Sequence, residues 1–148
     1  MAREILFKAK RIDNGEWVEG SLLVDEAGNC YMGVYIFPRQ DTDIVVVGGR
    51  INGKTYKRFS GIGFTQVDSK TVCQYTGLTD KNGNKIWEND VVRHLEHGEI
   101  YKCYWYCENC EYSLCNESES FGLGYCVGTE LEVIGNIFDN PEVLGGGE

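Results

Sequence analysis

The chain has 148 residues, a formal net charge of −9, 42% hydrophobic and 12% aromatic residues, 19 Gly against 2 Pro, and 7 Cys. That is the size of one domain or two closely fused half-size units, long enough to bury a core without staples. It excludes a disordered chain and a generic basic nucleic-acid binder, and no apolar run approaches the roughly 20 residues of a membrane span.

In chain order, period-2 alternation recurs and helical periodicity is scarce. Ile5, Phe7 and Ala9 alternate with Leu6, Lys8 and Lys10. Asp13-Asn14-Gly15 is a turn signal, and Trp17–Val24 completes a first hairpin. Glu26-Ala27-Gly28-Asn29 turns the chain into a β-branched and aromatic strand, Cys30–Phe37, which Pro38 ends. Ile44–Val47 is a short apolar strand candidate, and Tyr56–Ser60 alternates as an added hairpin or flap. Residues 64–67 and 71–75 read as strands around Asp68-Ser69-Lys70, where Asp68 can cap a short helix. Asp80-Lys81-Asn82-Gly83 suits a tight turn, because Asn82 and Gly83 tolerate positive φ. Ile86-Trp87-Glu88 packs back, Asp90 precedes a strand, and His97-Gly98 turns it into Ile100–Tyr106. A loop of acids and cysteines follows, then two closing strands, Phe121–Val127 and Leu131–Ile137. Residues 140–144 leave the sheet and Gly145-Gly146-Gly147 is a frayed tail. About ten short strands predict an all-β fold, a sandwich or small barrels.

The charge is not spread evenly. Residues 1–102 hold 14 basic and 14 acidic residues; residues 103–148 hold nine acids and no Lys or Arg. The bland reading is a solvated acidic face; the sharper one is a face that docks a basic partner.

Four cysteines fall close together: Cys103, Cys107, Cys110 and Cys115. Cys107 and Cys110 have the C-x-x-C spacing that brings two thiolates to one Zn²⁺ from a tight turn. A tetrahedral site needs two more ligands, with His94 and His97 as candidates across the adjacent turn, beside Cys103 and Cys115. Against this stand reduced thiols in and beside strands, and a redox pair. An odd cysteine count in a cytosolic setting weighs against a disulfide framework. Arg50, Lys54, Lys57 and Arg58 interleave with Tyr56 and Phe59, a pattern that can hold single-stranded nucleic acid, although the acidic final third weighs against it. Gly48–Thr55 has the formal spacing of a phosphate-binding loop, but no helix is predicted after it. No nucleophile motif is present to support a catalytic triad.

The stretch Val67–Leu78, with Asp80-Lys81-Asn82-Gly83, Ile86-Trp87-Glu88 and Asp90-Val91-Val92, resembles the YopX family of bacteriophage and prophage proteins. Ile5–Ala9 with Gly15–Gly20 is similar to that family's opening hairpin, and Glu132–Glu142 to its closing strand and exit. Asn89 stands where the family pattern carries Gly, and Asn also reaches the left-handed region. The cysteine-rich segment has no counterpart in the pattern.

The resemblance implies one unit spanning residues 1–148. It has a hairpin-rich β part over about 1–70, an SH3-like small barrel over about 71–140 and a tail, 141–148. It also implies phage or prophage origin and expression in a bacterial cytoplasm, consistent with an N-terminus, Met1–Lys8, that lacks a signal-peptide apolar stretch. It implies no biochemical activity and no site residues. The expectation is a non-enzymatic interaction module without a cofactor. It self-associates through Tyr104-Trp105-Tyr106 and meets a basic protein partner. The alternatives are nucleic-acid binding through 50–59 and zinc binding through the Cys103–Cys115 cluster.

Overall fold

The computed structural model describes residues 3–35, 62–125 and 130–145. The chain divides into two compact units, Leu6–Val72 and Cys73–Glu148 with Met1–Ile5.

The Leu6–Val72 unit holds β1 (Phe7–Lys10), β2 (Trp17–Val24), β3 (Cys30–Tyr35) and β4 (Ile62–Val67). Their spatial order is β4-β3-β2-β1, with antiparallel neighbours throughout. The Asp13-Asn14-Gly15 signal is the β1–β2 turn, with Gly15 at φ 72 and Arg11 N–H donating to the Glu16 carbonyl at 2.9 Å. Alternation along β1 buries Ala9, which packs with Cys30, Met32 and Val67 as a small core. At Gly20 the neighbouring strand comes so close that a Cβ would lie 1.9 Å from the Gly33 carbonyl oxygen, so only glycine fits. Asp68 caps a single 3₁₀ turn, Ser69–Thr71, by accepting from Lys70 N–H at 3.0 Å. The strand candidate 44–47, the hairpin 56–60 and the Gly48–Thr55 loop lie outside the described residues.

The second unit holds β5 (Cys73–Thr79), β6 (Lys85–Trp87), β7 (Asp90–His94), β8 (Ile100–Tyr106), β9 (Glu111–Cys115), β10 (Ser120–Gly122), β11 (Leu131–Asn136) and the short helix α1 (Pro141–Gly145). β5 and β6 pair with each other, and a five-stranded antiparallel sheet runs β10-β9-β8-β7-β11. Its core is Ile86, Val92, Tyr101, Cys103, Leu114, Leu123 and Leu131.

Three expectations change here. The segment read as a loop of acids and cysteines is a hairpin: only 107–110 turns, and Glu111–Cys115 is a strand. Tyr112 and Leu114 carry the period-2 pattern and register with Trp105 and Cys103. The strand expected from Phe121 stops at Gly122, because Leu123 turns into the core at 3% exposure on a 3₁₀ turn, Leu123–Tyr125. Finally, no closed barrel forms among the described residues, so the SH3-like barrel is corrected to an open sheet with β10 and β11 as its edges.

The reason lies at β11. Its outward carbonyl at Leu131 accepts from Lys81 N–H at 3.0 Å, and its outward Val133 N–H donates to the Asp80 carboxylate at 3.0 Å. The β5–β6 turn thus takes up the hydrogen-bonding groups that a closing strand would need. Asp80 is 3% exposed and also accepts from the N–H groups of Asn82 and Asn84, both at 2.9 Å, inside its own turn. Burial pushes this carboxyl up, but donors from Val133, Asn84 and Asn82 outweigh it and hold it below the usual aspartate range. Only Gly83 of the turn has positive φ, at 79. Asp80 therefore ties the turn to itself and to a strand 53 residues away in sequence.

Candidate functional site

The family-like Trp87-Glu88-Asn89-Asp90 stretch is a tight corner. Asp90, 2% exposed, accepts from Trp87 N–H at 2.9 Å. Asn89 is left-handed at φ 70, its N–H donates to the Cys103 carbonyl at 2.8 Å, and its carbonyl accepts from Ile137 N–H at 3.1 Å. The Asn-for-Gly departure is thus accommodated, and the Asn89 side chain gains a contact to the Cys73 thiol at 3.6 Å. These acids and amides build the corner. Burial raises Glu88, opposed by a Gln74 backbone contact and by Lys102.

From this corner runs β7, then β8 and β9, and the two ends of β8 carry the side chains of interest. At its first end, His94 and His97 stack at 4.8 Å between ring centroids. His94 is 8% exposed and its Nδ1 accepts from Glu96 N–H at 3.3 Å. Beside them the Tyr101 hydroxyl lies 2.5 Å from Glu99 Oε2 and 2.6 Å from Glu119 Oε1. Burial, then Glu119 and Glu99, push the phenol well above the usual tyrosine range. The Tyr101 hydroxyl, with Glu119, in turn holds the Glu99 carboxyl below the usual glutamate range. Sequence reading missed this trio. Glu99 and Tyr101 have the i, i+2 spacing of one strand face, but nothing in the sequence ties Glu119 to them.

At the other end, the β8–β9 turn presents Cys107 and Cys110, both exposed. Cys110 is left-handed at φ 52, and its thiol donates to the Cys107 carbonyl at 3.5 Å. Behind the turn, Trp105 packs edge-on against Tyr112 at 5.0 Å and stays 43% exposed. On the opposite face, Tyr104 and Tyr106 meet at 6.2 Å, and Tyr104 reaches the Ser120 hydroxyl at 2.8 Å. Glu108 accepts from the Tyr106 hydroxyl at 2.5 Å, and Glu111 from the Asn109 amide at 3.1 Å.

The four zinc candidates are therefore divided. His94 and His97 border one end of β8 and Cys107 and Cys110 the other, roughly 20 Å apart along a seven-residue strand. Cys103 is fully buried, and burial, with Asp90 and Glu88, pushes its thiol far above the usual range. Cys115 pairs with Lys102 on the next strand, away from the turn. Burial, then Glu88, pushes Tyr112 up to about 12. Among the described residues, no group of three His, Cys, Asp or Glu side chains gathers to hold a metal. Arg50, Lys54, Lys57, Arg58 and Cys126 lie outside the described residues. Within the described residues, no helix is long and apolar enough to cross a membrane.

These features define an all-β protein of two antiparallel sheets, with an acidic sheet whose central hairpin exposes aromatic and thiol side chains. By sequence it matches the YopX protein family over residues 7–145 and belongs to that family. In structure it is similar to protein EF1440 from Enterococcus faecalis, at 18% identity and a TM-score of 0.55, covering 97% of this chain and 99% of that one. That likeness speaks to the fold. No curated protein matches the chain.

Proposed function

We propose that the chain is a non-enzymatic accessory protein of phage or prophage origin, working in the bacterial cytoplasm as a protein-interaction module. The observation that carries this reading is the β8–β9 hairpin, where Trp105 is 43% exposed beside Tyr112. A half-exposed Trp backed by a Tyr is the anchor chemistry of protein interfaces. The first occupant is a second copy of the chain. Beyond it, the surplus of acids in the same unit selects a basic protein partner, because long-range charge sets partner sign and encounter rate. The buried ionisable groups support a role outside catalysis: Asp80 and Asp90 accept backbone N–H groups, and Cys103 is a buried, unactivated thiol.

Light scattering tests this at micromolar concentration. The expected result is a homo-oligomer that Trp105→Ala weakens at least ten-fold. A strict monomer, or an oligomer indifferent to Trp105→Ala, overturns it.

A further inference from the structure

The β8–β9 turn has a chemistry that the aromatic surface does not explain. Cys107 and Cys110 occupy two of the four positions of one turn, and both are exposed. The Cys110 thiol is folded back onto the Cys107 carbonyl at 3.5 Å, which holds both side chains on one small loop. Cys110 does so from φ 52, a conformation in which glycine or asparagine is the ordinary choice.

Two thiols three residues apart are half of a tetrahedral site, whose four sulfurs sit about 2.3 Å from a Zn²⁺ ion. The chain's other candidate ligands among the described residues do not complete it: both histidines lie beyond the far end of β8 and Cys103 is sealed in the core. Among the described residues, then, no second ligand pair is at hand. A second copy supplies an identical pair across a two-fold axis, the simplest closed arrangement for one self-complementary tip.

We propose that Cys107 and Cys110 from two copies of this chain form one Cys₄ zinc site that joins the copies tip to tip. The proposal rests on the self-association reading above and names its contact. The tip carries Glu108 and Glu111 and no Lys or Arg follows Lys102, so two metal-free tips repel. Four thiolates around one Zn²⁺ keep a net charge of −2, so the four metal–sulfur bonds are what hold the tips together against that repulsion. Glu108 and Glu111 are held by Tyr106 and Asn109, which leaves the thiols as the turn's available ligands. Trp105 and Tyr112 lie two residues behind the cysteines, where they supply apolar contact around the ion. On binding, each thiol releases its proton to solvent and no redox partner is needed.

The test uses the full reduced chain, stripped of metal and titrated with zinc chloride, with sedimentation and bound zinc measured together. The expected result is a doubling of mass at one zinc per two chains, reversed by chelator. Cys107→Ser and Cys110→Ser each abolish zinc-dependent doubling, whereas Cys115→Ser and His97→Ala leave it intact. A monomer that binds one zinc, no zinc binding, or doubling that survives Cys107→Ser and Cys110→Ser overturns the proposal. If a metal-free dimer persists in those variants but is lost in Trp105→Ala, the zinc site fails and the self-association reading stands. If no variant or condition yields a dimer, both fail.

Discussion

The two units reach stability by different routes. Leu6–Val72 carries nine basic and eight acidic residues, a formal charge of +1; the other unit carries five against fifteen, a formal charge of −10. Among the described residues, the first unit's core cluster has four buried residues and its buried polar residue is Thr71; the second unit's has seven, along with buried Asp80, Asp90, His94 and Ser113. The near-neutral unit is held by close strand approach and apolar packing. The acidic unit has, in addition, buried carboxylates that accept backbone N–H groups, and one of them, Asp80, binds its turn to a strand distant in sequence. An acid-rich chain can stay folded when particular acids are turned inward as acceptors and the rest face water.

The largest break in this comparison is expected at Asp80. Asp80→Ala removes an acceptor from three backbone N–H groups and exposes the β11 edge, and is expected to cost about 4 kcal/mol. Urea unfolding followed by tryptophan fluorescence reads the loss. The pH dependence follows from the same bonds. The folded carboxyl has the lower pKa, so its contribution is complete above about pH 4 and is lost as acidity carries it through its folded value. Wild-type protein should therefore lose stability below about pH 4 more steeply than Asp80→Asn; equal slopes would show that Asp80 is not the acid-sensitive tie.

In the other unit the counterpart is apolar. Met32→Ala empties a fully buried site, with an expected loss of about 3 kcal/mol, and the loss should be independent of pH between 3 and 7. Gly20→Ala forces β2 and β3 apart at the Gly33 carbonyl and is expected to cost about 2 kcal/mol. Hydrogen exchange should place both losses in residues of Leu6–Val72.

A smaller effect of opposite sign is expected at the hairpin tip. Cys110→Gly relieves a left-handed φ at an exposed position and should stabilise by about 1 kcal/mol, while removing a proposed zinc ligand. Asn89→Gly, at φ 70, should change stability by less, roughly 0.5 kcal/mol, because Asn tolerates that region and its amide contacts Cys73. Thermal melts distinguish the two; equal shifts would show that the Cys110 backbone carries no particular strain.

The sequence was legible wherever a signal is local. Asp13-Asn14-Gly15, His97-Gly98 and Asp68 as a cap are read from three or four residues, and each does in the structure what its chemistry predicts. Trp17–Val24 and Ile100–Tyr106 are strands with the expected bounds. The cysteine segment was misread because acids and thiols masked the alternation of Tyr112 and Leu114, which only a partner strand makes visible.

Composition and period by themselves determined an all-β chain with acid concentrated toward its end, since period 2 and charge are properties of neighbours along the chain. Only the tertiary structure decided which acids are ties and which are surface. Asp80 and Val133, like Tyr101 and Glu119, meet across 53 and 18 residues. It also set the two histidines and the exposed cysteine pair at opposite ends of one strand, where a seven-residue span outweighs their nearness in sequence. The physical reason is the same in both cases: hydrogen bonds and ligand sets depend on distances of a few ångströms, and those are fixed by strand register.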